Sequence, residues 1–241
     1  LPITHERGYL IPAVGPEYER CAHQLKNSII KFHPHANVTI VTADMLPHGD
    51  LGGWANDWQM FAVSPYRQTI KLEADMIAAG PVDHWWTLFE LRDVVISQGC
   101  RTYRDEPARS RFYRKCFDAN NLPDVYNAIT YWRLSHTAKE FFDLVRAIFE
   151  NWAEFRKLLK FAEDSASTDV VYAMAAQIMG PERVTLPAGL GPTMVHMKRH
   201  INGLHSEDWT QELIWESDPF RINTIAQWGF VHYHRKEWTI E

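Results

Sequence analysis

A chain of 241 residues, 46% hydrophobic and 23% charged, carries enough apolar material for one large globular domain. Its formal net charge of −5 excludes a surface that attracts nucleic acid as a whole, so any such contact must come from a local basic patch. Cys21, Cys100 and Cys116 form an odd set without C-x-x-C spacing, which excludes a disulfide framework or a cysteine zinc site and fits reduced thiols.

Residues 8–14 (GYLIPAV) are a short apolar run closed by Gly15-Pro16, which predicts a first strand leading into a loop. Across 17–32, Cys21, Leu25 and Ile29 recur at helical spacing, and the predicted helix stops at His33-Pro34. A β-branched run at 37–42 (NVTIVT) completes a β-α-β unit, the mark of a parallel sheet with crossover helices. It lacks Gly-x-Gly-x-x-Gly, which argues against a dinucleotide-binding dehydrogenase. Residues 49–57 read as a loop and 58–63 as a short helix.

A β-prone run at 69–72 ends in Glu73 and Asp75, followed by apolar Met76-Ile77 and a Gly80-Pro81 turn. Side chains two apart on an extended backbone point to the same side. Both carboxylates are therefore expected to converge at the carboxyl end of a strand, where open α/β sheets bind ligands. Two hard oxygen ligands there suit Mg²⁺ or Mn²⁺ held against a diphosphate. An acidic pair at a strand end is also a common surface feature, so this triplet needs its context.

Beyond it, 83–91 reads as a helix, 94–97 as a strand, and 101–115 as a polar, basic stretch. Residues 126–133 (YNAITYWR) alternate like a strand, and 137–152 form an amphipathic helix. A further helix is expected at 169–179, with Ser167 or Thr168 as its N-cap. After Gly180 the chain reads as irregular and rich in Gly, Pro, His and Trp. No apolar run approaches the ~20 residues that span a bilayer, and no secretory signal is visible, so a cytoplasmic protein without membrane insertion is expected.

In this order the segments resemble the GT-A glycosyltransferases, in particular the glycogenin-like enzymes and the short glycosyltransferases encoded by bacteriophages. The resemblance rests on residues 10–42, on Glu73-Ala74-Asp75 in the place of an Asp-X-Asp element, and on the strand Tyr126-Asn127-Ala128-Ile129-Thr130-Tyr131-Trp132-Arg133. It continues through the acidic helix start Ser167-Thr168-Asp169 and the late histidine segment Met194-Val195-His196-Met197-Lys198. It implies an α/β, Rossmann-like GT-A fold over 1–241, a single domain with a mostly parallel central sheet flanked by helices. It also implies a transferase that takes a nucleotide-diphosphate sugar, UDP-sugars foremost, and needs Mn²⁺ or Mg²⁺.

On the same basis Asp75, His196 and Glu73 are the expected metal ligands, and Val14, Tyr18, Glu73 and Lys198 the expected donor contacts. Asn127 and Asp169 are expected to meet the transferred sugar or the attacking hydroxyl, Asp169 as the candidate base. Glu73 stands where this family carries Asp, and its longer arm allows a water-mediated or ribose contact instead. His232 and His234 compete with His196 for the histidine role.

The run 101–115 mixes five arginines and Lys115 with Tyr103, Phe112 and Tyr113, which suits phosphate contacts combined with base stacking. The run is compatible with what the resemblance to bacteriophage enzymes implies, an acceptor that is DNA carrying hydroxymethylated bases in a phage-infected bacterial host, beside glycans and small molecules. Two other functions stay open: a non-catalytic glycan- or nucleic-acid-binding module on the same fold, and a nucleotidyltransferase. The latter needs a triphosphate-gripping loop near the first strand, for which Gly15-Pro16-Glu17 is poor material.

Overall fold

The computed structural model describes residues 2–108, 114–161, 164–187 and 189–239. The first part runs β1 (His5–Pro12), α1 (Pro16–Phe32), β2 (Val38–Val41), α2 (Met60–Val63), β3 (Tyr66–Leu72) and β4 (Met76–Ala78). The middle holds α3 (Asp83–Phe89), β5 (Val94–Gln98), β6 (Cys100–Arg101), β7 (Pro107–Ala108), α4 (Lys115–Ala119) and β8 (Val125–Arg133). Then come α5 (His136–Glu150), α6 (Trp152–Leu159), α7 (Thr168–Met179), α8 (Pro181–Val184), β9 (Met194–His196) and α9 (Arg199–Asn202). The last strands are β10 (Trp215–Ser217), β11 (Phe220–Ile222), β12 (Ile225–Ala226) and β13 (Phe230–His232).

The central sheet has the order β2-β1-β3-β8-β5. β1 pairs in parallel with β2 and β3, while β8 is antiparallel to both β3 and β5. Four strands thus share one direction and β8 alone is reversed, the mostly parallel sheet expected from the sequence. Alternation along the strands splits the core into two layers. Tyr9, Ile11, Ile70, Leu72 and Tyr131 face α1 and the second sheet; Leu10, Val94, Ile96 and Trp132 face α5 and α7.

Local chemistry explains the first crossover. Gly15 takes φ +100°, and Pro16 opens α1 at a position where its missing N–H is no loss. Cys21, Ala22, Leu25 and Ile29 then bury one stripe of the helix. Ser135 caps α5 by accepting from Ala138 N at 3.1 Å.

A second sheet, β4-β13-β9-β6-β7, takes β9 and β13 from the region after Gly180 that was expected to be irregular. Its strands beyond residue 190 are three residues long, too short to show a period in sequence. The helix expected over 137–152 ends at Glu150, and α6 follows from Trp152. Among the described residues no helix is long and apolar enough to cross a membrane.

Candidate active site

β3 ends at Leu72, and Glu73 to Asp75 occupy the turn that carries the chain into β4 and the second sheet. The two carboxylates were expected on extended backbone; a turn brings them together instead. Glu73 N–H is pinned to the carbonyl of Ala128 on β8 (3.1 Å), and the carbonyl of Asp75 accepts from Tyr233 N–H (3.1 Å). The turn is therefore tied to both sheets.

The second sheet brings histidine to the same place. β13 lies between β4 and β9, with His232 opposite Met76 on one side and His196 on the other. His232 Nε2–H donates to Asp75 Oδ1 at 3.0 Å and lies 3.2 Å from Glu73 Oε2. Glu73, Asp75 and His232 each offer an atom within 4.8 Å of the others, a donor set that fits a divalent cation. His196, expected to join the carboxylates, instead meets His234, with His196 Nδ1 2.9 Å from His234 Nε2.

The charges follow from this crowding. Burial opposes ionisation of His232, but Asp75 and Glu73 outweigh it and raise its pKa. Burial likewise works against the Asp75 carboxylate, yet the charge and hydrogen bond of His232 hold it below the usual range. Desolvation pushes Glu73 up, with His232 opposing and Asp75 adding to the rise. Burial and the charge of His232 drive His196 and His234 well below the ordinary imidazole range.

These groups line a cleft of about 1120 Å³ at the carboxyl ends of β1 and β3. That is room for a nucleotide carrying a sugar. Because β8 is reversed, its first residues reach the same end. The β5–β8 register shifts between Ile96 and Ser97, which releases the backbone of Asn127 from the ladder. Asn127 N–H donates to Asp169 Oδ1 (2.7 Å), and its carbonyl accepts from Lys71 Nζ (3.1 Å). Asp169, in the first turn of α7, is also ion-paired with Arg114.

Val14, Tyr18 and Lys198 line the cleft as well. Lys236 Nζ donates to the Tyr18 hydroxyl at 2.5 Å and lies 4.1 Å from the ring centroid. Burial works against the Lys236 charge, but Tyr18, Asp75 and Glu17 more than offset it and raise its pKa. Burial and Arg114 lower the pKa of Lys198.

Sequence reasoning missed Asp57, placed in a loop but sitting in a 3₁₀ turn (Gly53–Gln59) on the cleft wall. Asp57 Oδ2 accepts from Lys71 Nζ (2.5 Å) and Asn127 Nδ2 (3.3 Å), and Oδ1 from the Tyr172 hydroxyl. The available signal was Lys71 itself, a lone cation between Ile70 and Leu72 in a buried strand. Of the basic run 101–115, Arg101 is bound to Asp105 and stacked on Trp228, and Arg104 is bound to Glu106 and Asn202. Arg109, Arg111, Phe112 and Tyr113 lie outside the described residues. The described part presents Arg114 to the cleft and no open basic patch around Arg101 and Arg104.

No family model and no curated protein matches this sequence. Solved structures do. The galactosyltransferase LgtC, solved with donor and acceptor sugar analogues, matches with a TM-score of 0.52 at 11% identity, over 94% of this chain and 87% of its own. The bifunctional glycosyltransferase WbbM matches with a TM-score of 0.51 at 13% identity, over 95% of this chain and 46% of its own. The glycosyltransferase GlyE of Streptococcus pneumoniae TIGR4 gives 0.47 at 10% identity, over 76% of this chain and 46% of its own. The chain thus spans under half the length of GlyE and WbbM. The likeness to LgtC and WbbM, with the sheet order above, shows a GT-A glycosyltransferase fold.

Proposed function

We propose that this chain is a metal-dependent glycosyltransferase that moves a sugar from a nucleotide-diphosphate sugar, a UDP-sugar foremost, to an acceptor hydroxyl. One observation carries the reading: Glu73 and Asp75 meet His232 in a nucleotide-sized cleft at the carboxyl end of a GT-A sheet. These three residues would hold Mn²⁺ or Mg²⁺, which supplies charge stabilisation for a departing diphosphate. Lys198 and Lys236 add cationic charge on the wall where phosphates would lie. Tyr18, on the cleft wall like Val14, offers a face for the base.

Both oxygens of Asp169 are engaged by Arg114 and Asn127. Its part in the reaction is therefore to orient a sugar hydroxyl through its remaining lone pairs, in place of the base role expected from sequence. Asn127 fixes Asp169 through its backbone and Asp57 through its side chain. The bound state of Arg101 and Arg104 favours a glycan or small-molecule hydroxyl as acceptor over DNA.

The test is a product assay with Mn²⁺ and a panel of UDP- and GDP-sugars, offered small glycans, hydroxymethylcytosine DNA and unmodified DNA. The reading predicts slow donor hydrolysis, or transfer to a glycan, that EDTA stops. Ligand binding indifferent to EDTA, with no turnover of any donor, would establish a binding module instead. Transfer confined to hydroxymethylated DNA would reverse the acceptor assignment.

A further inference from the structure

Next to the carboxylate pair lies a second group of donors, of which the proposed reaction uses His232 alone. His196, His232 and His234 each offer a ring nitrogen within 4.8 Å of the other two. The rings of His232 and His234 are 3.7 Å apart between centroids, and those of His196 and His234 are 4.5 Å apart. All three come from the adjoining ends of β9 and β13, whose parallel register sets His196 opposite His232. The backbone at His234 takes φ +62°, a left-handed conformation that side chains other than glycine adopt at a cost.

A separate observation concerns His232. Its Nε2–H is turned to Asp75, while its Nδ1 is buried and has no hydrogen-bond partner among the described residues. A buried imidazole nitrogen without a partner is costly unless something accepts its lone pair. A metal-ligating histidine typically donates its other ring N–H to a carboxylate, which fixes its tautomer and orientation. His232 has that carboxylate behind it in Asp75, and a cation that displaces its second proton would meet a lone pair at Nδ1.

We infer that His196, His232 and His234 form a three-imidazole cation site, distinct from the Glu73–Asp75–His232 set, that takes Zn²⁺ or a similar nitrogen-preferring ion. Three imidazoles suit zinc, cobalt and nickel, whereas Mg²⁺ and Mn²⁺ favour oxygen. Nitrogens sharing a tetrahedral Zn²⁺ at about 2.05 Å lie about 3.3 Å apart, so ligands within 4.8 Å close the site by rotating their rings. Three protein ligands leave a fourth coordination position open. The site shares His232 with the set assigned to the donor's cation, so a zinc-bound chain holds that cation less well. This coupling, unlike the zinc site itself, rests on the proposed function.

The experiment titrates ZnCl₂ by competition with a chromophoric chelator, and CoCl₂ by visible absorption. The full chain is compared with His234→Ala, His196→Ala and Glu73→Gln; circular dichroism and Tm check that each variant folds. The site predicts saturable Zn²⁺ binding and intense tetrahedral Co²⁺ bands. It predicts that His234→Ala and His196→Ala each weaken Zn²⁺ at least about tenfold and abolish the bands. Glu73→Gln should leave the bands in place. Absence of Zn²⁺ binding, or binding weakened by Glu73→Gln and untouched by the two histidine variants, would overturn the site. Either of those results leaves the glycosyltransferase reading to its own donor assay.

Discussion

Lys71 is fully buried on β3, with its ammonium held by Asp57 and the Asn127 carbonyl and facing the ring of Tyr172. Removing one partner of a buried ion pair strands the other, which costs about 3–5 kcal/mol, whereas replacing both costs far less. Lys71→Met should therefore lower unfolding free energy in urea by about 3 kcal/mol or more. Lys71→Met combined with Asp57→Asn should recover most of that loss. A single variant as stable as the parent would show that Asp57 is not held by this contact. The same network supports Asn127, so Lys71→Met should also raise the donor KM.

At this scale the sequence was legible in part. The meeting of Glu73 and Asp75 was expected from their spacing on extended backbone, whereas a turn brings it about; Tyr18, Lys198, Asn127 and Asp169, expected by resemblance, line the cleft. That His232, 157 positions after Asp75, is the imidazole touching the carboxylates depends on β13 entering beside β4, which no local pattern encodes. Asp57 was illegible for a related reason: its partners arrive from β3, β8 and α7.

Among the elements, β1 and β3 are matched by a glycine. A Cβ added at Gly8 would come within 2.4 Å of the Tyr66 ring, whose hydroxyl is hydrogen-bonded to Thr39 on β2 at 2.6 Å. The ring has little freedom to yield, so Gly8→Ala should cost about 1–3 kcal/mol in chemical denaturation. An unchanged midpoint would mean the ring moves freely.

Asp93, just before β5, is paired with Arg133 at the end of β8. Burial opposes its ionisation, but Arg133, Thr137 and Ser135 prevail and hold its carboxyl below the usual range. A lowered folded pKa gives stabilisation that is complete above the unfolded value of about 3.9 and fades as pH falls through the folded one. For so exposed a pair this is below about 1 kcal/mol. Asp93→Asn should flatten the acid limb of the stability–pH curve by that amount; an identical limb would remove the pair from the account.

The early elements were readable because α1 and β8 are long enough to show a period, 17 and nine residues. β9 and β13, at three residues each, are not, and their pairing partners define them. The break at Asn151 between α5 and α6 also escaped the pattern, because apolar spacing runs through it.

Over the whole molecule, two sheets share one apolar layer, in which Ile70, Leu72 and Tyr131 of the first meet Met194, Val195 and Phe230 of the second. The first sheet supplies a cleft at its carboxyl ends; the second closes it with histidines and with Lys198 and Lys236 beyond its strand ends. A chain of net charge −5 thus concentrates cationic groups around a carboxylate–histidine cluster, an arrangement suited to a diphosphate with its cation. Ligands that bridge the sheets should stabilise the chain by mass action. Mn²⁺ with UDP is expected to raise Tm, and EDTA to cancel the rise; equal Tm values in all conditions would argue that nothing spans the cleft.

The most direct measurement is a titration of Mn²⁺ followed by the electron paramagnetic resonance signal of the free ion, with and without UDP, on the parent chain and on Asp75→Ala. Glu73, Asp75 and His232 acting together predict saturable binding that UDP tightens and that Asp75→Ala loses while keeping its fold. Equal Mn²⁺ binding by the two proteins would contradict the account.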